Sequence, residues 1–153
     1  MPTFDFEFTV DATVKQVSDF HSDTAALKTL TPPPTIVQLH DIEPLAEGSR
    51  SLFTLWVGPL PLKWTALHRD VGPNGFTDLQ TDGPAQKWVH THTFTPLGAE
   101  TTRVNEHIEF EHKPGFRGLV TRLLFARPNL YVMFTYRKWI TRRVLRRRRQ
   151  SAE

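Results

Sequence analysis

The stretch GFTDLQTDGPAQKWVHTHTF, residues 75–94, decides the fold. Polar and apolar side chains alternate in two runs, 75–81 and 86–96, and the turn-forming residues Asp82-Gly83-Pro84 lie between them. Alternation with a period of two is typical of a β-strand with one buried face, and Gly and Pro between two such runs indicate a turn. This stretch therefore predicts two neighbouring antiparallel strands.

The same pattern extends in both directions along the chain. Further alternating or β-branched runs, each bounded by Gly, Pro, Asn or Asp, occupy residues 3–10, 35–40, 50–57, 62–71 and 101–112. Turn residues that recur about every ten residues are typical of consecutive antiparallel strands. We therefore predict a meander of seven strands.

Helical spacing appears in two places. Residues 11–20 predict a helix with Asp11 as its N-cap, and Ser22 or Asp23 would cap a second short helix that must end at the proline run 32–34. A long helical pattern covers residues 116–149, and Pro128 predicts a kink or short break near Arg127. This last helix is the only element long enough to cover one face of the sheet.

Composition limits the class of protein. The chain has 153 residues, 39% of them apolar, and no cysteine, which predicts one globular domain without disulfides or zinc–thiolate sites. No apolar run reaches the length of about 18 residues that a membrane span requires, and the N-terminus lacks the features of a secretory signal. We expect a soluble cytoplasmic protein with a single domain over residues 1–149 and a flexible end, 150–153.

Positive charge is concentrated near the C-terminus. Residues 137–149 carry eight basic and no acidic side chains, whereas the rest of the chain carries eleven basic and sixteen acidic ones. This basic segment is either an electrostatic patch for an anionic partner or a solvated helix end that suits the helix dipole. Because the remainder of the chain is acidic, nucleic-acid binding is not expected.

Alternation also sorts the side chains of three strands by face. On each strand one face carries Trp or Phe, while the other carries residues suited to water. The concave side of the sheet is therefore predicted to receive Leu62, Trp64, Ala66, His68, Trp88, His90, His92, Phe94, Val104, Glu106, Ile108 and Phe110. Asp78 and Gln80 join this face if Phe76 points inward. Polar groups are thus predicted inside the core, where an unpaired charge is costly.

Four interpretations of this inward polar cluster stay open. His90 and His92 lie two residues apart, and Glu106 on the next strand is close enough to hydrogen-bond with them. The cluster is a structural network, a set of groups that orient a mostly apolar ligand, an acid–base site, or a metal site, for which one His-x-His pair is weak evidence. We expect neither a metal nor a cofactor.

The order of elements resembles the helix-grip fold of the START and polyketide-cyclase superfamily (SRPBCC). Residues 75–80, Gly83-Pro84 and the W-x-H-x-H-x-F run 88–94 resemble a pattern of small bacterial members, as does EHIEF at 106–110. The resemblance spans essentially the whole chain. It implies an α+β fold in which a curved antiparallel seven-stranded sheet wraps around a long C-terminal helix, with two short helices after strand 1. Because the superfamily mixes lipid carriers, hormone receptors and aromatic cyclases, it does not imply a single activity.

Together, these patterns predict a binding protein for a small hydrophobic molecule, held in a cavity of roughly 300–1,000 Å³ between the sheet and the C-terminal helix. The expected ligand-binding residues are Trp64, His68, Asp78, Gln80, Trp88, His90, His92, Phe94, Glu106 and Phe110. The alternative is a cyclase/aromatase- or dehydratase-like enzyme, with candidate catalytic groups His90, His92, Glu106 and Asp78. Four further histidines are expected in loops or on the solvent face, without a role: His21, His40, His107 and His112.

Overall fold

The computed structural model describes residues 2–152. Within them, seven strands are β1 (Thr3–Val10), β2 (Ile36–Ile42), β3 (Arg50–Val57), β4 (Leu60–Gly72), β5 (Gly75–Asp82), β6 (Lys87–Gly98) and β7 (Thr101–Glu111). The helices are α1 (Val14–Ser22), α2 (Ala26–Leu30), α3 (Leu119–Leu124) and α4 (Arg127–Ala152), with a 3₁₀ turn at Gly115–Gly118. None of these helices is both long and apolar enough to cross a bilayer.

All seven strands form one antiparallel sheet in the order β1-β7-β6-β5-β4-β3-β2. Strands β2 to β7 follow one another as a meander, and β1 closes the far edge by pairing with β7. The sheet is curved and α4 lies against its concave side, so the predicted helix-grip architecture is confirmed. Short turns connect most neighbouring strands. Because these strands pair side by side, residues that are well separated in the sequence lie opposite one another in the sheet.

The start of α1 differs by two residues from the prediction. Thr13, not Asp11, is the N-cap: its hydroxyl accepts from the amide of Gln16, and the Gln16 side chain accepts from the amide of Thr13. This reciprocal capping box satisfies two amide groups at once, which Asp11 could not do from its position. The second short helix has no side-chain cap, although Asp23 accepts from the amide of Ala25 just before it.

The predicted break near Arg127 is confirmed. Helix α3 ends at Leu124, Phe125 and Ala126 turn the chain, and α4 begins at Arg127 with Pro128 in its first turn. Proline suits that position because an amide in the first helical turn has no intrahelical partner to lose. The helix continues to Ala152, beyond the boundary at residue 149 that the sequence suggested.

The core lies between the concave face of the sheet and α4. The aromatic side chains of β1 point inward at every second residue, and the ring of Phe134 on α4 lies 5.5 Å from that of Phe4 and 6.0 Å from that of Phe6. Val104 and Ile108 on β7 and Leu130 on α4 are fully buried. Burial of such side chains stabilises the fold by about 1.5–3 kcal/mol each.

Candidate functional site

A cavity of about 270 Å³ lies between the concave face of the sheet, α2 and the first turns of α4. Its volume is just below the predicted range. Most of the wall is apolar: Trp64 and Trp88 meet edge to face with ring centroids 5.4 Å apart, and Phe125 lies 4.6 Å from Trp88. Phe125 belongs to the break between α3 and α4, so the break itself supplies part of the wall.

Polar side chains also line the cavity. They are Ser51, His68, Asp78, His90 and His92 on the sheet, His21 on α1, Asn129 and Arg137 on α4, and Asp23, Thr24, Thr31 and Thr35 beside α2. The strand register explains why four of them meet one another and Glu106: His68 pairs with Asp78, Asp78 pairs with His90, and His92 pairs with Glu106 across neighbouring strands. Their inward orientation follows from the period of two along each strand.

A continuous chain of polar contacts crosses five strands. The hydroxyl of Ser51 lies 3.0 Å from His68 Nε2, and His68 Nδ1 lies 2.5 Å from Oδ1 of Asp78. The other oxygen of Asp78 accepts from His92 Nε2 at 3.2 Å. Glu106 Oε2 accepts from His90 Nε2 at 2.7 Å and makes an ion-pair contact of 2.7 Å with His92 Nδ1, whose N–H does not align with it as a hydrogen bond.

Gly75 allows β5 and β6 to approach each other beside this chain. Its φ of +144° is a conformation that residues with a side chain rarely adopt, and a Cβ at this position would collide with the carbonyl oxygen of His92. Any substitution of Gly75 would therefore displace the backbone of His92.

His92 is the cation of the cluster. Burial lowers its pKa, but attraction to Glu106 and the hydrogen bond to Asp78 outweigh burial and raise the pKa of His92 to about 9. Burial alone would raise the pKa of both carboxyls, yet the hydrogen bonds from His68 and His92 lower that of Asp78, and attraction to His92 lowers that of Glu106. At neutral pH one imidazolium therefore stands between two carboxylates.

The two neighbouring histidines behave in the opposite way. Burial and the charge of His92 lower the pKa of His90 to about 4, although Glu106 opposes this. The same two causes lower the pKa of His21 to about 4, although Glu106 again opposes them. Both rings are neutral at pH 7, and His21 Nδ1 bonds to the carbonyl of Val17 at 2.9 Å.

Arg137 brings a second cation to the cavity from α4. Burial lowers its pKa, while attraction to Glu106 and Asp78 opposes that shift. Its guanidinium carbon lies 5.1 Å from the ring centroid of Phe134, and its Nε is buried without a hydrogen-bond partner. Arg137 thus adds a second positive group that attracts the two carboxylates.

Comparison with protein-family models finds no match, and neither does comparison with curated protein sequences. Solved structures are similar in fold. An aromatase/cyclase, Zhui from Streptomyces sp. R1128, has a TM-score of 0.74 at 17% identity, covering 99% of this chain and 97% of that one. A START superfamily protein from Mycobacterium smegmatis has a TM-score of 0.69 at 14% identity, covering 93% and 98%. Norcoclaurine synthase from Thalictrum flavum, solved with dopamine and hydroxybenzaldehyde, has a TM-score of 0.67 at 19% identity, covering 95% and 87%.

The chain has the START-like helix-grip fold. The resemblance predicted from the sequence is confirmed at this level, since the similarity covers nearly the whole chain. At identities of 14–19%, it establishes the START-like fold without transferring an activity.

The structure separates the predicted site residues of this START-like domain into two sets. Those that line the cavity are Trp64, His68, Asp78, Trp88, His90 and His92. Those that do not are Gln80, Phe94, Glu106 and Phe110.

Each residue of the second set contacts another part of the core or of a loop. Gln80 donates to the carbonyl of Ala85 at 2.9 Å and accepts from its amide at 3.2 Å, so it holds the turn between β5 and β6. Phe94 packs on His21, Phe110 packs on Trp88, and Glu106 contacts His90 and His92. Glu106 therefore contacts the wall of the cavity through these two histidines, and its charge also attracts Arg137.

The prediction that His21 lies in a loop or on the solvent face is wrong. It lies on α1, is 8% exposed, and its ring stands 5.8 Å from that of His92. The physical reason is helical spacing: Val17, Phe20 and His21 follow the i, i+3, i+4 pattern of a buried helix face. The spacing Leu130, Phe134, Arg137 carries the same signal for Arg137, which the sequence analysis did not single out as a site residue.

Two groups of side chains in residues 2–152 have donor atoms within 4.8 Å of one another, as a metal ion would need: His21, His92 and Glu106, and Asp78, His90 and His92. Both groups include His92. Because its pKa is raised to about 9, a divalent cation would have to displace a proton that two carboxylates hold.

Proposed function

We propose that this protein binds a small, mostly apolar molecule in the cavity between the sheet and α4. The cavity itself supports this proposal: its volume is about 270 Å³, and aromatic and other apolar side chains make up most of its wall. Ligand sites are typically concave and apolar with a few placed polar groups. The proposed location is the cytoplasm, because a chain without cysteine forms no disulfides and needs no oxidising compartment.

The wall predicts how a ligand would lie. Rings or alkyl groups would contact Trp64, Trp88 and Phe125, where burial of apolar surface contributes about 25 cal/mol per Å². A hydrogen-bonding group of the ligand would point towards His90 and Arg137. Arg137 offers a buried Nε that has no hydrogen-bond partner among residues 2–152.

Binding of 1-aminoanthracene, whose fluorescence rises in apolar surroundings, tests this proposal. Leu55 lines the cavity from β3, whereas Val57, two residues along the same strand face, does not. We expect saturable binding by the wild type and a loss of at least about tenfold in affinity for Leu55→Trp, because the larger ring fills the cavity. The matched variant Val57→Trp should bind as the wild type does.

Two results would contradict the binding proposal: no saturable binding by the folded wild type, or equal binding by Leu55→Trp and Val57→Trp. Native mass spectrometry of protein purified without denaturation provides an independent measurement. A co-purified small molecule that is lost in Leu55→Trp and retained in Val57→Trp would identify the ligand directly.

A cyclase/aromatase- or dehydratase-like activity is the second candidate. It is favoured by the neutral state of His90, which lines the cavity and is held in place by Glu106. A neutral imidazole fixed by a carboxylate is suited to accept a proton from a bound molecule. His90→Gln should then abolish turnover of a bound substrate with little change in affinity, whereas in a pure carrier it would change affinity alone.

A further inference from the structure

Three of the polar residues have an arrangement that the binding proposal does not use. Ser51 on β3, His68 on β4 and Asp78 on β5 lie on three successive neighbours of the sheet. Ser51 Oγ is 3.0 Å from His68 Nε2, and His68 Nδ1 is 2.5 Å from Asp78 Oδ1. A hydroxyl on one ring nitrogen and a carboxylate on the other is the arrangement of an activated serine nucleophile.

The network also determines which atom donates in each hydrogen bond. An ionised carboxylate only accepts, so the Nδ1–H of His68 donates to Asp78. In that tautomer Nε2 carries a lone pair, and the Ser51 hydroxyl can donate to it. His92 holds the second oxygen of Asp78 at 3.2 Å, so the carboxylate cannot rotate away from His68.

The three residues are also accessible to a bound molecule. Ser51 and His68 are buried from bulk solvent, at 5% and 4% exposure, yet Ser51, His68 and Asp78 all line the cavity. A carbonyl group held in the cavity can therefore reach Ser51. Burial raises the pKa of Asp78, but the hydrogen bonds from His68 and His92 lower it below its ordinary value, so it is ionised at neutral pH.

We propose that Ser51, His68 and Asp78 form a catalytic triad that hydrolyses small, mostly apolar carboxylic esters in this cavity. Ser51 is the nucleophile, His68 is the general base and then the general acid, and Asp78 orients His68. The proposal rests on the proposed binding function to the extent that the ester must enter the cavity.

The reaction balances with water as the only co-reactant. Ser51 Oγ bonds to the ester carbonyl carbon while its proton moves to His68 Nε2, and His68 returns that proton to the alcohol oxygen as the C–O bond breaks. A water molecule then attacks the acyl-serine, giving its proton to His68, and the carboxylic acid leaves as the proton returns to Ser51. Arg137, with its buried unpaired Nε in the same cavity, is a candidate donor to the oxyanion of each step.

The experiment combines a covalent probe with a rate measurement. Phenylmethylsulfonyl fluoride should react with the wild type, forming an Oγ–S bond at Ser51 and releasing fluoride, and intact-mass and peptide analysis would locate the adduct. Hydrolysis of 4-nitrophenyl butyrate is followed by release of 4-nitrophenolate. For Ser51→Ala we expect no adduct at this position and a loss of at least about 100-fold in kcat/KM.

Ser49→Ala is the matched control. Ser49 lies two residues from Ser51 and is 7% exposed, but its hydroxyl accepts from the amide of Ala46, and it meets His68 only through its backbone carbonyl, which accepts from the His68 amide. The Ser49→Ala variant should form the Ser51 adduct as the wild type does, and its kcat/KM should agree with that of the wild type within about twofold.

The outcomes separate the two proposals. A wild type that binds 1-aminoanthracene but shows neither a Ser51 adduct nor hydrolysis that depends on Ser51 overturns the triad and leaves the binding function intact. An adduct at Ser51 with no saturable dye binding supports the triad and contradicts the binding function. The wild-type adduct is informative even if Ser51→Ala fails to fold, because it needs no variant.

Discussion

At the scale of single residues, His92 organises the polar side of the cavity. It contacts Asp78 on β5 and Glu106 on β7, and its ring lies 4.0 Å from that of His90 and 5.8 Å from that of His21. A buried imidazolium is tolerated here because two carboxylates compensate for its lost hydration. Burial and the charge on His92 together lower the pKa values of His90 and His21 and keep both rings neutral.

Replacing Glu106 with Gln tests this charge balance. The change removes the attraction between Glu106 and His92, which is the largest of the causes that raise the pKa of His92. The pKa of His92 should therefore fall by about one unit or more. The measurement is an NMR titration of the histidine ring protons.

Glu109→Gln provides the control, since Glu109 is on the same strand but the opposite, partly exposed face, beside Lys87. His92 should titrate in this variant as in the wild type. An unchanged His92 titration in Glu106→Gln would show that the ion pair does not control its protonation.

At the scale of elements, α4 closes the core through one stripe of side chains. Leu130, Phe134, Thr141 and Leu145 are buried at helical spacing, and Arg137 continues the stripe into the cavity. The basic end of α4 contacts the body at its surface: Arg142 donates to the carbonyl of Thr9, and Arg149 lies 3.3 Å from Glu100. Exposed contacts of this kind contribute about 0–1 kcal/mol each, so the apolar stripe holds α4 in place.

Truncating a buried side chain of this stripe should therefore lower the free energy of unfolding strongly. Phe134 is 1% exposed and contacts Phe4 and Phe6, so Phe134→Ala should lower the free energy of unfolding by about 3–5 kcal/mol. Trp139→Ala, on the same helix at 68% exposure, should change it by no more than about 0.5 kcal/mol. Urea unfolding of both variants measures the difference, and equal losses would mean that α4 is not held by this face.

At the scale of the whole molecule, the buried cluster links stability to pH in two directions. The pKa of His92 is about 9 when folded against an ordinary 6.5, so its stabilisation is complete below pH 6.5 and is lost as pH rises through 9. The pKa values of His21 and His90 are about 4 when folded, so their contribution is complete above pH 6.5 and is lost as pH falls towards 4. The lowered pKa values of Asp78 and Glu106 add to the acid loss.

We therefore expect the melting temperature to be highest near pH 6.5 and to fall on both sides. Differential scanning calorimetry between pH 4 and pH 10 measures the profile. His92→Gln should remove the decline between pH 6.5 and pH 9, whatever its effect on the absolute melting temperature. A variant that keeps the same alkaline decline would show that His92 is not its source.

The START-like fold was predictable from local pattern. A period of two along a strand leaves only two choices of face, and the aromatic side chains decide between them, so the inward position of Trp64, His90 and Glu106 follows from sequence alone. Turn residues at regular spacing imply neighbouring antiparallel strands, and Pro128 must interrupt a helix. Hydrophobic periodicity and backbone chemistry act over a few residues, which is why the sequence by itself determined these features.

Which polar groups meet depends on how the whole chain folds. Ser51 and His68 are 17 residues apart in the sequence. This separation does not determine the distance between their side chains, which is set when β3 and β4 pair in register. His21 and Arg137 reach the cavity from helices on the other side of the core, where packing angle and the break before α4 set their positions. Gln80 shares the strand of Asp78, yet the turn at Ala85 takes its side chain away from the cavity. Local pattern assigns a side chain to a face, whereas the neighbours it contacts depend on register, curvature and packing, which involve the whole chain.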